Sequence, residues 1–396
     1  MDRNKLLAAV ERLRERACAV SDAIFDHPEV GRTERFACRQ LTDFLEAEGF
    51  QTQRGVGGLD TAFRGVWQNG EGGPVIGFAC EFDALRQLGH GCGHHMQGPA
   101  VIAAAAALKA AAAEEPFRIV VYGTPDEEYG NGKIDMLEQG CFQELDFVLM
   151  THLGPNTTVD LKSLAQRIYL AEYHGQAAHA AVKPEAGRSA VDAMLLSLHG
   201  LEMLREHVRD DVRMHYSILE TSPNSNTVPA YAKIEYNLRA NSSDYLDQIC
   251  RRFEKVMEGA AIMSGTTVDY SVAADCKSKI PMHLLTSVLM KHAQALNAPQ
   301  MIPFRERTGT TDAGNLMRVI PGASIRVACV PEGTSLHSQA VLDAGKSQAL
   351  HDGLLLAAKI LALTGADLIC DGALRRDIRA EFEQNLAAEQ KEAAQG

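Results

Sequence analysis

Short apolar runs alternate with helical patterns in the first part of the chain. Three of these runs are rich in β-branched and aliphatic residues and are typical of buried strands: residues 74–80, 117–123 and 147–152. An alanine-rich stretch follows Gly93, and a second helical segment follows Gly132. Because helices cover both faces of a parallel sheet and join its strands, this alternation predicts an α/β fold with a mostly parallel central sheet.

The pattern changes near residue 164. From there a strand, a helix, two strands, a second helix and a final strand follow one another, the order of a ferredoxin-like α+β unit. A helix, a buried strand at 324–330 and a long C-terminal helix from about Ala340 then resume the first pattern. The sequence therefore predicts a discontinuous first domain, residues 1–163 and 275–396, and an inserted second domain, residues 164–274.

Composition and charge narrow the classes of function. The net charge is −12, from 39 basic and 51 acidic residues, which would repel a phosphate backbone and argues against nucleic acid as a partner. Hydrophobic residues make up 46% and charged residues 23%, ordinary values for a globular protein with no membrane partner. The nine cysteines are scattered and form no CxxC pair, so we expect reduced thiols and a cytoplasmic location.

Chemically capable side chains follow the predicted strands at the points where each strand ends. Ligands of open α/β sheets bind beyond the carboxyl ends of the strands, so these loops are expected to meet at one edge. Cys92 and His94 flank Gly93 in the first of them, at a spacing that lets both side chains reach one metal ion. His152 and His337 come from two others and would complete a set of ligands suited to Zn²⁺, Mn²⁺ or Co²⁺.

The adjacent pair Glu127 and Glu128 follows the strand at 117–123. Neighbouring carboxylates point in different directions, so one can bind a cation while the other faces a bound water. Taken one at a time, a cysteine, a histidine or a loop glutamate is most simply explained as core filling or solvated surface. The convergence of four loops on one predicted edge is what favours a metal site.

Eight motifs spread along nearly the whole chain carry a family resemblance. They are HPEVG (27–31), EFDAL (81–85), HGCGHH (90–95), GTPDEEYGNGKIDMLEQGCF (123–142), THLGP (151–155), HGQAAHAAVKPEAGRSAVDAM (174–194), NTVPAYAKIEYNLRA (226–240) and GTTDAGN (309–315). With these motifs the chain resembles the M20 metallopeptidases, and within them the amidohydrolase branch of aminoacylases, plant auxin-conjugate hydrolases and p-aminobenzoyl-glutamate hydrolase subunits.

The resemblance implies a zinc-peptidase-like catalytic domain whose inserted domain acts as a lid and forms a homodimer. It implies two divalent transition-metal ions per subunit, zinc, manganese or cobalt, with Glu127 as the general base. Cys92 would bridge the two ions, whose ligands would be Cys92, His94, Glu128, His152 and His337. In the lid, His179 would help to hold the substrate carbonyl oxygen, and Asn226 and Arg239 would bind its polar groups or carboxylate. A salt bridge within the lid is the alternative for Arg239.

One position departs from the family pattern. An Asp or Asn usually follows the metal-binding histidine, whereas this chain has His95. We expect His95 to orient a metal ligand; an additional ligand or a group facing an unusual substrate are the alternatives. Asp83, at the end of the strand at 74–80, is expected to hydrogen-bond a ligand histidine, with helix capping as the alternative.

The leading hypothesis is a metal-dependent hydrolase that cleaves the amide bond of a small N-acyl or N-aroyl amino acid or a dipeptide. A metal-activated water would attack the carbonyl carbon, with Glu127 taking its proton. The same site could instead release the amine of an activated aromatic ring. Two hypotheses come from other classes: a cysteine hydrolase with Cys92 as a thiolate nucleophile, and a binding protein without catalytic activity.

Overall fold

A computed structural model describes residues 1–112, 115–222, 224–305 and 308–394. The helices are α1 (Arg3–Arg12), α2 (Arg14–Asp26), α3 (Arg35–Ala47), α4 (Gln97–Ala110), α5 (Gly132–Glu138), α6 (Ala190–Arg205), α7 (Ser243–Ser264), α8 (His283–Ala295), α9 (Ala313–Val319), α10 (Gln339–Ala344), α11 (Gln348–Cys370) and α12 (Gly372–Ala394). The strands are β1 (Gln51–Arg54), β2 (Phe63–Asn69), β3 (Val75–Cys80), β4 (Phe117–Gly123), β5 (Phe147–Gly154), β6 (Thr158–Val159), β7 (Ala165–His174), β8 (Arg213–Glu220), β9 (Tyr231–Ala240), β10 (Thr267–Cys276) and β11 (Gly322–Ala328).

The chain divides into two compact units. The first contains Met1–Lys162 and Lys279–Leu386, and the second contains Ser163–Ser278 together with the chain from Ala387. Within the second unit, the Glu389 carboxylate accepts a hydrogen bond from the backbone N–H of Ser243 at 3.0 Å, which attaches the end of α12 to the start of α7. The sequence had assigned this C-terminal stretch to the first domain, and the lid and dimer roles of the second domain stay predictions.

The first unit is built on a seven-stranded sheet in the order β1-β2-β4-β3-β5-β11-β6. The neighbours among β4, β3, β5 and β11 are parallel, and the strands outside them are antiparallel. The largely parallel central sheet that the sequence predicts is confirmed. Strands β3, β4 and β5 are apolar almost throughout because helices cover both faces of the sheet. Because these strands are parallel, their carboxyl ends lie along one edge of the sheet.

Two helices form the centre of the first unit's core. Helix α4 is rich in alanine, which has the highest helix propensity and lets neighbouring backbones approach closely, and it packs against α1, α11 and β3. Helix α11 is long and apolar enough to cross a membrane by length and composition alone. Most of its hydrophobic stretch is buried against the rest of this unit, as expected of a central core helix. Because α4 is buried on all sides, the loop before it is held in place.

The second unit has a four-stranded antiparallel sheet in the order β10-β7-β9-β8. Its elements follow the chain as β7-α6-β8-β9-α7-β10, and α6 and α7 pack on each other and on the sheet. Residues on β9 alternate between buried and partly exposed, so that Ile234, Tyr236 and Leu238 face the core while Asn237 and Arg239 belong to the other face.

Glu34 joins the start of α3 to the loop after β4. This fully buried carboxyl accepts hydrogen bonds from the Thr61 hydroxyl at 2.9 Å and from the backbone N–H of Asp126 at 2.9 Å. Burial raises the pKa of Glu34 to about 7. Between its ordinary pKa near 4.5 and about 7, the folded chain therefore binds a proton that the unfolded chain releases, and the free energy of unfolding falls as the pH rises through this window.

Glu34→Gln is expected to remove this loss of stability. A shift of that size corresponds to about 3 kcal/mol between pH 5 and pH 7.5, or a few degrees in melting temperature for a unit of this size. In thermal unfolding across this range, the melting temperature of the variant should increase relative to that of the wild type as the pH rises. Thr61→Val, which removes a hydrogen bond that lowers the pKa of Glu34, should keep the loss of stability and extend it to higher pH. Parallel wild-type and Glu34→Gln curves would contradict the assignment.

Candidate metal centre

The candidate ligands come from four segments of the first unit at the carboxyl edge of its sheet. Cys92 and His94 lie in the loop between β3 and α4, and Glu128 lies directly beyond β4. His152 stands near the end of β5, and His337 follows β11. The neighbouring parallel strands β4, β3, β5 and β11 therefore deliver donors from four points of the sequence to one place.

Gly93 allows Cys92 and His94 to be presented together. Its φ is +81°, in the left-handed region that favours glycine, and a Cβ at this position would lie 1.7 Å from Cδ2 of Leu153. Any other residue would require both backbone strain and a shift of the buried Leu153 side chain. The glycine between the two candidate ligands is thus required by the turn that brings them to the sheet edge.

Left-handed backbone also occurs at two non-glycine positions beside the site. Asp126, directly before Glu127, has φ +60°, and His337 has φ +58°. Arg32 holds the Asp126 carboxylate at 2.7 Å, and the backbone N–H of His337 donates to Gly91 O at 2.9 Å. Such conformations cost about 1–3 kcal/mol each and persist where the surroundings enforce them, often at functional sites.

The donor atoms form two groups that share the Cys92 thiol. One contains Cys92, His94 and His152, and the other contains Cys92, Glu128 and His337; in each, all ligand atoms lie within 4.8 Å of one another. The Cys92 Sγ to His152 Nε2 distance is 3.6 Å, and the His337 Nε2 to Glu128 Oε1 distance is 3.5 Å. Donors around a tetrahedral metal with bonds of 2.0–2.3 Å stand about 3.3–3.8 Å apart, so these separations fit shared coordination.

Two ligand atoms of the candidate metal site are buried and lack a hydrogen-bond partner. They are Nε2 of His94 and Oε1 of Glu128, which lie 3.8 Å apart. An unsatisfied buried polar atom costs about 1–3 kcal/mol, so native structures seldom leave two together without a ligand. A divalent cation between them would satisfy both, and the residues present therefore fit a metal ion.

Asp83 fixes the positions of both residues that carry these ligand atoms. Its Oδ1 accepts from Nδ1 of His94 at 2.9 Å, and its Oδ2 accepts from the backbone N–H of Glu128 at 3.0 Å. Burial lowers the pKa of His94, yet its interactions with the Cys92 side chain and its hydrogen bond to the Asp83 carboxylate outweigh burial and raise that pKa well above its ordinary value. The site thus holds an excess of negative charge that a cation would balance.

His152 is held in the form that binds metals. Its Nδ1 hydrogen-bonds Leu153 O at 2.8 Å, which leaves the lone pair of Nε2 directed to the side of Cys92. Burial and the positive charge of Arg326 lower the pKa of His152 to about 3, so the imidazole is neutral. Burial raises the pKa of the Cys92 thiol to about 12, so a thiolate at this position needs a cation beside it.

Glu127 lies between the candidate metal ligands and a second cluster of carboxylates. It forms one group with His94 and Glu128 and another with Glu81 and Asp312. Burial and the charges of Glu81 and Asp312 raise the pKa of Glu127 well above its ordinary value. A carboxyl of raised pKa beside a metal centre is suited to accepting and returning a proton.

Sequence reasoning missed the residues that support Glu127. Glu81 Oε1 and Asp312 Oδ1 both contact Nζ of the buried Lys133, at 2.7 and 2.6 Å. The Gln97 amide donates to Glu81 Oε2 at 2.8 Å. Glu81 and Asp312 do stand in the motifs EFDAL and GTTDAGN, but only the fold shows that the two motifs meet.

The side chain of His95 contacts a different set of residues from that of its neighbour His94. Its Nε2 hydrogen-bonds Gly345 O at 2.9 Å, and its ring contacts those of Phe25 and His90, with centroids 4.9 and 5.3 Å away. None of the donor groups among the described residues includes it. Its predicted role in orienting a metal ligand stays a prediction.

The predicted substrate-binding residues belong to the second unit. The backbone N–H of Ala180, next to His179, donates to Asn226 O at 2.9 Å, so the two candidate segments are adjacent. Arg239 Nε donates to Asn237 Oδ1 at 3.3 Å. Burial lowers the pKa of Arg239, and no acidic side chain among the described residues pairs with it.

Known proteins with related sequences are hydrolases. The chain matches the model of peptidase family M20/M25/M40 over residues 77–350. It is 35% identical over 397 residues to the Xaa-Arg dipeptidase of Mus musculus, covering 96% of this chain and 92% of that protein. It is 30% identical over 454 residues to one of the p-aminobenzoyl-glutamate hydrolase subunits of Escherichia coli (strain K12), covering 95% and 94%.

Solved structures share the fold. An aminobenzoyl-glutamate utilization protein from Klebsiella pneumoniae superposes with a TM-score of 0.71 at 20% identity, covering 91% of this chain and 96% of that chain. A Bacillus subtilis protein described as a dinuclear metal-binding peptidase of family M20 superposes with a TM-score of 0.68 at 18% identity, covering 88% and 98%.

Asp83→Asn is expected to weaken metal binding by about 10–100-fold, because the amide cannot hold both His94 and the Glu128 backbone as the carboxylate does. Titration of the metal-free chain with Zn²⁺ or Mn²⁺ against a competing chelator measures the affinity. Asp60→Asn, at an exposed carboxylate paired with Arg35, should leave it unchanged. Equal affinities for wild type and Asp83→Asn would contradict the orienting role of Asp83.

Proposed function

Because the chain belongs to peptidase family M20/M25/M40 and is a hydrolase, we propose that it cleaves the amide bond between an acyl, aroyl or aminoacyl group and an amino acid with a free carboxylate. The observation that carries the proposal is the pair of donor groups sharing Cys92, with Glu127 beside them. The names of the two curated relatives support it, since an Xaa-Arg dipeptide and p-aminobenzoyl-glutamate both contain an amide bond to an amino acid.

Two divalent transition-metal ions, zinc, manganese or cobalt, fit the donors. Cys92, His94 and His152 would hold one ion, and Cys92, Glu128 and His337 would hold the other. Bound there, the ions would supply Lewis-acid chemistry, polarising the substrate carbonyl and lowering the pKa of water. The mixture of thiol, imidazole and carboxylate donors suits these metals better than Mg²⁺ or Ca²⁺.

Glu127 is the general base. It takes the proton of the attacking water and later returns that proton to the departing nitrogen, which is too basic to leave as an anion. Burial beside Glu81 and Asp312 raises its pKa, so its carboxyl can both accept the proton and give it up. Glu128, which belongs to a donor group with Cys92 and His337, is assigned to the metal.

His179 and Arg239 would bind the substrate. The backbone N–H groups of Ala181 and Val182 both donate to Nδ1 of His179, each at 3.3 Å. The proton of the neutral ring is therefore on Nε2, which can donate to a carbonyl oxygen as negative charge develops there. The guanidinium of Arg239, which lacks an acidic partner among the described residues, can pair both oxygens of a carboxylate, with Asn226 contributing a further polar contact.

Two further expectations concern the whole molecule. A homodimer through the second unit is supported by strand β8, a sheet edge that exposes Tyr216, Ile218 and Leu219. A cytoplasmic location fits the nine free cysteines.

Cys92 is not the nucleophile in this mechanism. Burial raises the pKa of its thiol to about 12, so without a cation the group is protonated and unreactive. A cysteine hydrolase would keep its activity in the presence of a chelator, whereas the proposed site would lose it.

Glu127→Gln is expected to lower kcat by about 10²–10⁴-fold, because the amide cannot accept the proton of water. Steady-state kinetics measure this loss, and metal content by mass spectrometry should stay at the wild-type value. Glu138→Gln, an exposed residue on α5, serves as the control and should keep full activity. Undiminished turnover by Glu127→Gln would contradict the assignment of the base.

A series of substrates with and without a free carboxylate tests whether the chain recognises that group. Xaa-Arg dipeptides and p-aminobenzoyl-glutamate should be hydrolysed, and their C-terminal amides much less so. Arg239→Met should lower kcat/KM for the free acids by about 10–100-fold, as expected for a charge-assisted pair worth 1.5–3 kcal/mol, and leave the amides unaffected. Arg205→Met, at an exposed arginine paired with Glu202 on α6, is the control and should leave kcat/KM unchanged for both the acids and the amides. Ammonia from an aryl amine without amide cleavage would favour the deaminase instead.

A further inference from the structure

Lys133 is buried completely at the start of α5, next to the proposed base. Its Nζ lies 2.7 Å from Glu81 Oε1 and 2.6 Å from Asp312 Oδ1. Its backbone N–H also donates to Asp312 Oδ2 at 2.9 Å, so α5 and the start of α9 are joined through one carboxylate. Burying a lysine ammonium is costly unless it is paired and hydrogen-bonded, and here both conditions are met.

The carboxylates around this ammonium resemble a cation site. Oxygen atoms of Glu81, Glu127 and Asp312 all lie within 4.8 Å of one another. Three carboxylates confined in this way repel one another strongly in a medium of low dielectric constant, so positive charge is needed among them. A lysine on a fixed tether supplies that charge where a metal ion otherwise could.

The cluster is continuous with the metal centre. Glu81 Oε2 lies 3.5 Å from Nε2 of His94, while Oε1 of the same carboxylate contacts Lys133. Glu127 belongs both to the group with His94 and to the group with Asp312. A change in the charge at Lys133 therefore acts on Glu81, which also lies beside His94, and on Glu127, the base of the proposed function.

We propose that Lys133 is a positioning residue for the hydrolysis, a tethered cation that holds Glu81 and Asp312 in place, keeps Glu127 available as the base and excludes a third divalent ion. The proposal rests on the proposed function, because the base and the two metal ions are taken from it. When all three carboxyls are ionised, they and the ammonium carry a net charge of −2, and loss of the ammonium would leave −3 with an empty space where the side chain had been.

The metal content of Lys133→Ala tests the exclusion of a third ion. After equilibration with Mn²⁺ and removal of free metal, elemental mass spectrometry should find two ions per wild-type chain and three per Lys133→Ala chain. The double variant Lys133→Ala/Asp312→Asn should return to two, since one of the three carboxylates is lost. Two ions in Lys133→Ala would overturn the exclusion of a third ion.

Lys279→Ala is the matched control for the loss of a buried lysine. Lys279 is also buried, but its surroundings are Asp160 with Arg326 and Arg305, so no three-carboxylate space opens when it is removed. It should hold two ions, like the wild type. A third ion in this variant would mean that any internal cavity takes up metal, which would also overturn the proposal.

Lys133→Met separates charge from volume and keeps the proposal testable if the alanine variant fails to fold. Methionine fills the space without a charge, so the variant should hold two ions while kcat falls at least about tenfold with KM unchanged. Propylammonium added to Lys133→Ala should displace the third ion and restore part of kcat. Unchanged kcat in Lys133→Met would overturn the positioning role.

These measurements distinguish the two proposals. Metal counts require no substrate, so they remain informative whatever the amide turns out to be. A wild-type chain without bound metal would reject the proposed function itself. A wild-type chain with two ions and a Lys133→Ala chain with two would reject only the role of Lys133.

Discussion

The site depends on buried donor atoms that the protein itself does not satisfy. Nε2 of His94 and Oε1 of Glu128 are enclosed, oriented by Asp83 and left without a hydrogen-bond partner. The folded chain carries that unfavourable free energy unless a cation is present, so metal binding and stability are linked. The turn at Gly93 and the left-handed backbone at Asp126 and His337 are arranged around this one requirement.

Charge balance extends the same constraint beyond the ligands. Glu81, Glu127 and Asp312 would repel one another if each stood unpaired in the interior, and Lys133 supplies the positive charge that holds them close. The centre is thus a row of carboxylates stabilised by ammonium at one end and suited to metal ions at the other. Glu127 belongs to a group of ligand atoms at each end, and in the proposed function it exchanges the proton of the attacking water.

Much of this arrangement could be predicted from the sequence, because the composition of each short segment indicates its secondary structure and its burial. The apolar runs of β3, β4 and β5 indicate strands buried on both faces, and parallel strands must place their carboxyl ends together, so the loops bearing Cys92 and His152 were expected to meet. The surroundings of His95 could not be read, because Phe25 and Gly345 are distant in sequence and adjacent residues of a short helical turn point in different directions. The contact between Lys133 and Asp312, 179 residues apart, depends on the completed fold in the same way.

Diffraction from crystals of the manganese-loaded chain, recorded at the metal absorption edge, tests the central claim most directly. We predict two anomalous peaks in the first unit, both within about 2–2.5 Å of Cys92 Sγ. One should contact His94 and His152, and the other Glu128 and His337. Absence of any peak among these donors, with His94 Nε2 and Glu128 Oε1 hydrogen-bonded to water instead, would contradict the claim.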